Sequence, residues 1–346
     1  MLGSRLVHLS LRTAARHIFL QTVDSCHMGL NQPRDRYGHV SPLIPSDAIV
    51  FHLGDDVWNA GRVRSAHPMK RATRFPRSIV VPYRAQYAEP SSGTPSRTKS
   101  ARRPLLVFGA FSAERHPLRR SLIGAMVASE SLAPGRIRVG GIGLKHHCNS
   151  SRAVTRQNCG RVPRFEEWSG SNISVDDQGA LSAALGIASE ATFCLCPSGD
   201  TPSLTPRLYT SILAGCVPVV IDLYARYPLD LTRAYPFPSL IDWHRFVVEV
   251  PHNRSSMPRI EKPKTVADSK QMYARFRRAI EAEMATLVPR LLQLEQHAAE
   301  ARRYMRSIAH WLRYDMHATD RGRQRRLVEQ DAASAALHEL ALRLQA

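Results

Sequence analysis

The sequence predicts an α/β chain with a parallel sheet in its middle and helices at its C-terminal end. Three stretches carry that prediction. Ala191 to Asp222, ATFCLCPSGDTPSLTPRLYTSILAGCVPVVID, reads as a strand, a Gly/Ser/Pro loop, a short helix, a glycine turn and a second strand. Leu105 to Ala128 repeats the strand–glycine–helix arrangement. Residues 266–318 hold the longest run of apolar residues at three- and four-residue steps. A loop that opens a helix N-terminus between parallel strands is a place where anions bind, because unpaired N–H groups and the helix dipole both favour negative charge.

Taken in order, the N-terminus MLGSRLVHLSLRTAARHIFLQ is free of acidic residues until Asp24, and fits a transit-type presequence or an ordinary first helix. Ala48 to Leu53 reads as a buried strand that ends at Gly54, Asp55 and Asp56. Ser78 to Val81 is a second, stopped by Pro82. Ala88 to Pro104 is rich in Ser, Pro, Thr and Arg and reads as a linker. The organisation expected is a partial N-terminal α/β region over 1–87, a linker over 88–104, a Rossmann-like domain over 105–260 and C-terminal helices over 261–346.

Leu105 to Phe108 is a strand with Gly109 expected at its end, and Arg115 to Ala128 a helix with Leu118, Leu122, Ile123, Met126 and Val127 on one face. Arg115, Arg119 and Arg120 lie near its start, where a phosphate would meet them. Ile137 to Val139 is a strand, and Gly140, Gly141 and Gly143 read as a plain turn after it. Lys145 to Asp176 is polar and irregular, and Gln178 to Glu190 is a small-residue helix. Thr192 to Leu195 is a strand that Pro197 to Pro206 is not expected to continue. Arg207 to Ala214 is a helix, Gly215 its C-terminal cap, and Val217 to Ile221 a continuous apolar run of the buried parallel kind. Leu223 to Pro238 reads as loop and Ser239 to Val250 as a turn followed by a strand. Within 266–318, Met272, Phe276, Ile280, Met284, Leu287 and Leu291 mark one face, with Pro289 expected to kink or divide the helix. Ala332 to Leu344 is a last amphipathic helix.

With 346 residues and 43% hydrophobic residues the chain has enough apolar material for a sizeable core. The formal charge is +19, and 42 of the 48 basic residues are arginines spread along the chain. Such a charge suits nucleic acid, sugar phosphates or acidic glycans, and equally a solvated basic surface. No zinc-finger, RNA-recognition or helix-turn-helix signature is present, so nucleic acid is not the expected partner. The cysteines Cys26, Cys148, Cys159, Cys194, Cys196 and Cys216 include no CxxC pair and no zinc-ligand spacing. Cys148 and Cys159 are placed to close a small loop as a disulfide. With the sequons at Asn149, Asn172 and Asn253 they lean toward an oxidising, glycosylating lumen. No run of about 18 apolar residues is present to span a bilayer as a helix.

Phe193-Cys194-Leu195, Pro197, Gly199-Asp200-Thr201, Arg207 and Ala214-Gly215-Cys216-Val217-Pro218-Val219 stand in the order of the signature of the exostosin-type glycosyltransferases. That family includes heparan-sulfate polymerases and plant xyloglucan and xylan transferases. LLVFGAFSAERHPLRRSL is similar to the family's strand–Gly–Arg segment, Ile241-Asp242-Trp243 with Phe246 to the segment after the signature, and His310 to Asp315 to its closing helix. The resemblance covers about residues 104 to 316, and Ile49 to Asp56 and Ser78 to Pro82 echo the N-terminal half faintly.

The resemblance implies a GT-B architecture of two Rossmann-type halves, the second binding a nucleotide sugar. It implies an inverting, metal-independent transfer from a nucleoside-diphosphate donor, UDP-linked, to a glycan acceptor in the Golgi lumen, with no further cofactor. Membrane association would come only through an anchor that this chain does not show, and homo- or hetero-oligomers are both open. A sugar-nucleotide diphosphate needs N–H groups, a helix N-terminus and cations to take up leaving-group charge. Ser198, Gly199, Asp200, Thr201 and Ser203 supply the loop, Arg207 the cation at the helix start and Arg119 a second cation. Asp200 and Ser203 are equally placed to cap the helix. The base that takes the acceptor proton is expected at Asp55 or Asp56, although a loop-capping role suits either as well. Many members carry an acidic residue for the nucleotide ribose where this chain has Thr210, which cannot bind two hydroxyls as a carboxylate does. The N-terminal half also looks shortened. The alternative function is therefore a non-catalytic, glycan-binding or scaffolding relative.

Overall fold

The computed structural model describes residues 18–21, 49–53, 78–82, 103–111, 117–141, 178–198, 206–221, 235–250, 266–312 and 331–345. They form two parallel sheets. The first is three-stranded, with β1 (Ile18–Gln21), β2 (Ile49–Leu53) and β3 (Ser78–Val81) in that order. The segment Ile18–Gln21 is thus a strand and not the continuation of a first helix. Pairing with the apolar run of β2 overrides a weak helical pattern, since a four-residue Ile-Phe-Leu-Gln run has little helical preference of its own.

The second sheet holds β4 (Leu105–Phe111), β5 (Ile137–Gly141), β6 (Ala191–Pro197), β7 (Val217–Ile221) and β8 (Val248–Val250), in the order β5-β4-β6-β7-β8 and parallel throughout. The helices that link or cover it are α1 (Pro117–Ala128), α2 (Gln178–Glu190), α3 (Pro206–Leu213), α4 (Val266–Leu294), α5 (Ala298–Ile308) and α6 (Ala332–Gln345). Taken in chain order the strands lie 2-1-3-4-5, the doubly wound Rossmann-like order whose ligand crevice opens at the carboxyl ends of strands 1 and 3, here β4 and β6. The central strands are buried along their whole length, as a sheet covered on both faces requires.

Four expectations of local structure give way to the sheet. Gly109 does not end β4, which runs on to Phe111. A Cβ at Gly109 would lie 3.1 Å from Phe111 Cε1 and 3.3 Å from Leu195 Cβ, so the glycine marks close packing inside the strand. Gly140 and Gly141 are strand, not turn, and pair in register with Ala110 and Phe111. Cys196 and Pro197 extend β6, and Ser198 N takes over the ladder with a 2.9 Å bond to Ile221 O where proline has no N–H to give. Pro289 sits inside α4 without dividing it, and the break falls at the 3-10 turn Glu295–His297. There the Arg136 guanidinium bonds Glu295 and ties the break to the residue before β5.

The turn between α3 and β7 follows the Schellman pattern, with Gly215 N bonded to Ile212 O and Cys216 N to Ser211 O. Gly215 has φ +67°, and a Cβ there would lie 3.0 Å from Arg103 Nη2. The Arg103 guanidinium caps the end of α2 through Ala188 O and Ala191 O. A disulfide joins Cys194 in β6 to Cys216 before β7, with Cα atoms 5.7 Å apart. Sequence reading missed this pair, because the two residues are 22 positions apart and only the sheet register brings them together. Cys148 and Cys159, expected to pair, lie outside the described residues.

The C-terminal helix α6 ties the two sheets together. It packs against β3, and Ala335, Ala336 and Leu340 join the core cluster that contains Ile79 and Val81. On the same buried face Glu339, 0% exposed, accepts from Ser239 N (3.2 Å), Ser239 Oγ (3.0 Å) and Arg343 Nε (2.8 Å). Truncating it would remove the acceptor that all three donors share, although Ser239 and Arg343 are exposed and their donors can turn to water. Glu339→Ala is therefore expected to cost about 1–2 kcal/mol in urea unfolding, and Glu339→Gln, which keeps one acceptor oxygen, less.

Candidate functional site

The two helices that follow β4 and β6 both open on proline, Pro117 in α1 and Pro206 in α3, with φ preset for a helix and no N–H to leave unpaired. Neither first turn carries an acidic residue. Each carries an arginine instead, Arg119 and Arg207, against the preference of the helix dipole for negative charge at that end.

The two arginines cross the crevice. Arg119, from the helix after β4, donates through Nη2 to Ser198 O at the end of β6 (2.8 Å). Arg207, from the helix after β6, donates through Nε to Ala110 O at the end of β4 (3.1 Å). Each guanidinium so straps the neighbouring strand's carboxyl end, and both charges meet at the switch point. Arg119 is 5% exposed. Arg207 lies over the ring of Phe111, with Cζ 5.5 Å from the centroid. Burial, then the charge of Arg119, lowers the Arg207 pKa to about 10, with Cys196 acting the other way. At neutral pH Arg207 remains a cation, and two guanidinium groups at one crevice concentrate positive potential that a bound anion would relieve.

Beneath α3, the Cys196 thiol approaches Ser211 Oγ and Cys194 O, each at 3.5 Å. Burial pushes its pKa up to about 11, so it stays a neutral thiol and is not a nucleophile. Ser211 Oγ donates to Arg207 O within the helix (2.8 Å).

Of the residues singled out in the sequence, the structure brings Arg119, Arg207 and Ser198 together. Ser198 is buried and presents its carbonyl to Arg119. Thr210 is half-buried one turn into α3, and its carbonyl accepts from Ala214 N. Gly199, Asp200, Thr201, Ser203, Asp55 and Asp56 lie outside the described residues, as does Arg115. The strand-end carbonyl of Ala110 and the ring of Phe111 were missed. The available signal was the alternation in Phe108-Gly109-Ala110-Phe111, which continues a strand past its glycine.

No helix among the described residues is long and apolar enough to cross a membrane. A parallel doubly wound sheet with cations at its switch point is the arrangement expected of a nucleotide-sugar domain, and the family model of the Exostosin GT47 domain matches residues 39–264. The match takes in the first sheet's β2 and β3, the whole second sheet and both arginines. The chain therefore belongs to the Exostosin GT47 family, the glycosyltransferases of Rossmann-like GT-B fold.

Proposed function

We propose that the protein is an inverting transferase that moves a sugar from a UDP-linked donor to a glycan acceptor. The observation that carries this reading is the pair of arginines, Arg119 and Arg207, crossed over the carboxyl ends of β4 and β6 at two helix N-termini. In the reaction the acceptor hydroxyl oxygen forms a bond to the anomeric carbon as the bond from that carbon to the β-phosphate oxygen breaks. The hydroxyl proton goes to a carboxylate on the acceptor side, for which Asp55 and Asp56 are the candidates, and the diphosphate leaves with the bonding pair. Charge grows on that leaving group, and cations fixed in advance in a poorly hydrated site stabilise it most where it grows. Gly199, Asp200, Thr201 and Ser203 would supply N–H and hydroxyl groups to the phosphates, and Thr210 a hydroxyl to the ribose. A disulfide in the fold and sequons at Asn149, Asn172 and Asn253 support a Golgi-lumen setting and a glycoprotein.

Calorimetry with UDP and UDP-sugars tests the reading. Binding of UDP in the micromolar range, with the uncharged nucleoside uridine bound at least tenfold more weakly, is the expected result. A folded protein that shows no heat of binding with UDP at millimolar concentration would refute it.

A further inference from the structure

Phe111 is the last residue of β4 and is fully buried. It lies where the strand reaches the crevice, and two observations tie it to Arg207. The guanidinium carbon stands 5.5 Å from its ring centroid. The carbonyl of the residue before it, Ala110, takes the Nε proton of the same guanidinium at 3.1 Å. One strand residue therefore fixes the edge of the guanidinium and the next supports its face.

The ring is seated by missing side chains. Gly109 lies two residues back on the same face of β4, and a methyl group there would come within 3.1 Å of Phe111 Cε1 and 3.3 Å of Leu195 Cδ1. Directly across the ladder on β5 the partner of Phe111 is Gly141. A large ring with glycine beside it along the strand and across the sheet explains why β4 and β5 keep glycines where β-formers would pair better.

With Nε bonded to Ala110 O, a phosphate would be met by the two terminal nitrogens, whose end-on edge suits two oxygens. A ring under a guanidinium adds attraction and restrains rotation about its long side chain. We infer that Phe111 is a positioning residue for the donor diphosphate: it is the platform that aims Arg207, and Gly109 is kept bare to seat it. The inference rests on the donor-site reading of Arg207.

The test measures UDP affinity by calorimetry in the full chain for wild type, Phe111→Leu, Arg207→Lys and the double variant. Phe111→Leu keeps apolar volume and loses the ring, and is expected to weaken UDP roughly fivefold. Arg207→Lys keeps the charge and loses the planar fork. If Phe111 acts through the guanidinium, adding Phe111→Leu to Arg207→Lys costs less than a further twofold. Gly109→Ala, which displaces the ring, is expected to weaken UDP in the same direction. Should Phe111→Leu fail to fold, Phe111→Met is read by the same criterion. UDP bound equally by wild type and Phe111→Leu would overturn the role of Phe111 alone, as would a fivefold loss that persists in the Arg207→Lys background. UDP bound equally by wild type and Arg207→Lys would instead overturn the donor-site reading on which the inference stands.

Discussion

Arg207→Ala is expected to weaken UDP binding by roughly a hundredfold or more while leaving the fold intact. A charge-assisted bond to phosphate contributes about 1.5–3 kcal/mol, and a guanidinium presented end-on makes two. At about 1.4 kcal/mol per tenfold, their loss reaches that factor. The fold should tolerate the change because the charge of Arg207 is not a stabilising one. Its folded pKa, about 10, lies below that of a free guanidinium, so folding works against protonation. At pH 7 the native state carries that cost in full, and it would be relieved only as pH rises through about 10 toward the range of a free guanidinium. Removing the group relieves it at every pH, against the loss of one bond to Ala110 O and of the contact with Phe111. The melting temperature of the variant should accordingly stay within a few degrees of wild type. UDP should raise the melting temperature of wild type and not that of the variant. A variant that melts as wild type and still binds UDP with wild-type affinity would take Arg207 out of the site.

Removing the disulfide with Cys194→Ala and Cys216→Ala is expected to cost about 3 kcal/mol in urea unfolding, from the entropy regained by a chain no longer closed over 22 residues. That closed segment holds the end of β6, the whole of α3 with Arg207, and the Gly215 turn. The same variant should therefore bind UDP more weakly, since the helix that carries the cation is less firmly set. Reductant supplies the control. It should lower the urea midpoint of wild type toward that of the variant and shift the variant less. Equal midpoints for wild type with and without reductant would show that the bond adds nothing to stability in solution.

The strands Ser78–Val81 and Val217–Ile221 and the helix Gln178–Glu190 could be read to the residue, because each is a run whose composition and boundaries agree. β4, β5 and β6 were read short, at Gly109, Gly140 and Pro197. Glycine and proline are turn-formers by local preference, yet here they are held in strands by the register of their neighbours and, at Gly109, by a ring that needs the space. Pro289 was read as a kink or a division for the same local reason, and the helix is not divided there. Its ring is on the exposed side of α4, where water can serve the freed carbonyl, and the helix passes through it.

By itself the sequence determined the α/β class, the order of strand and helix around Arg207, and the family, because these depend on periodicity and on residues near one another in the chain. It also named Arg119 and Arg207 as cations at two helix starts. Only the tertiary structure decided that each arginine straps the other's strand, that Cys194 pairs with Cys216 and that Phe111 lies under the guanidinium. The sequence separations are 79 for Arg119 to Ser198, 97 for Arg207 to Ala110 and 22 for the disulfide. Contacts of that kind are set by which strands lie side by side in the sheet, and strand order follows from the packing of all the helices at once, not from any local run of residues.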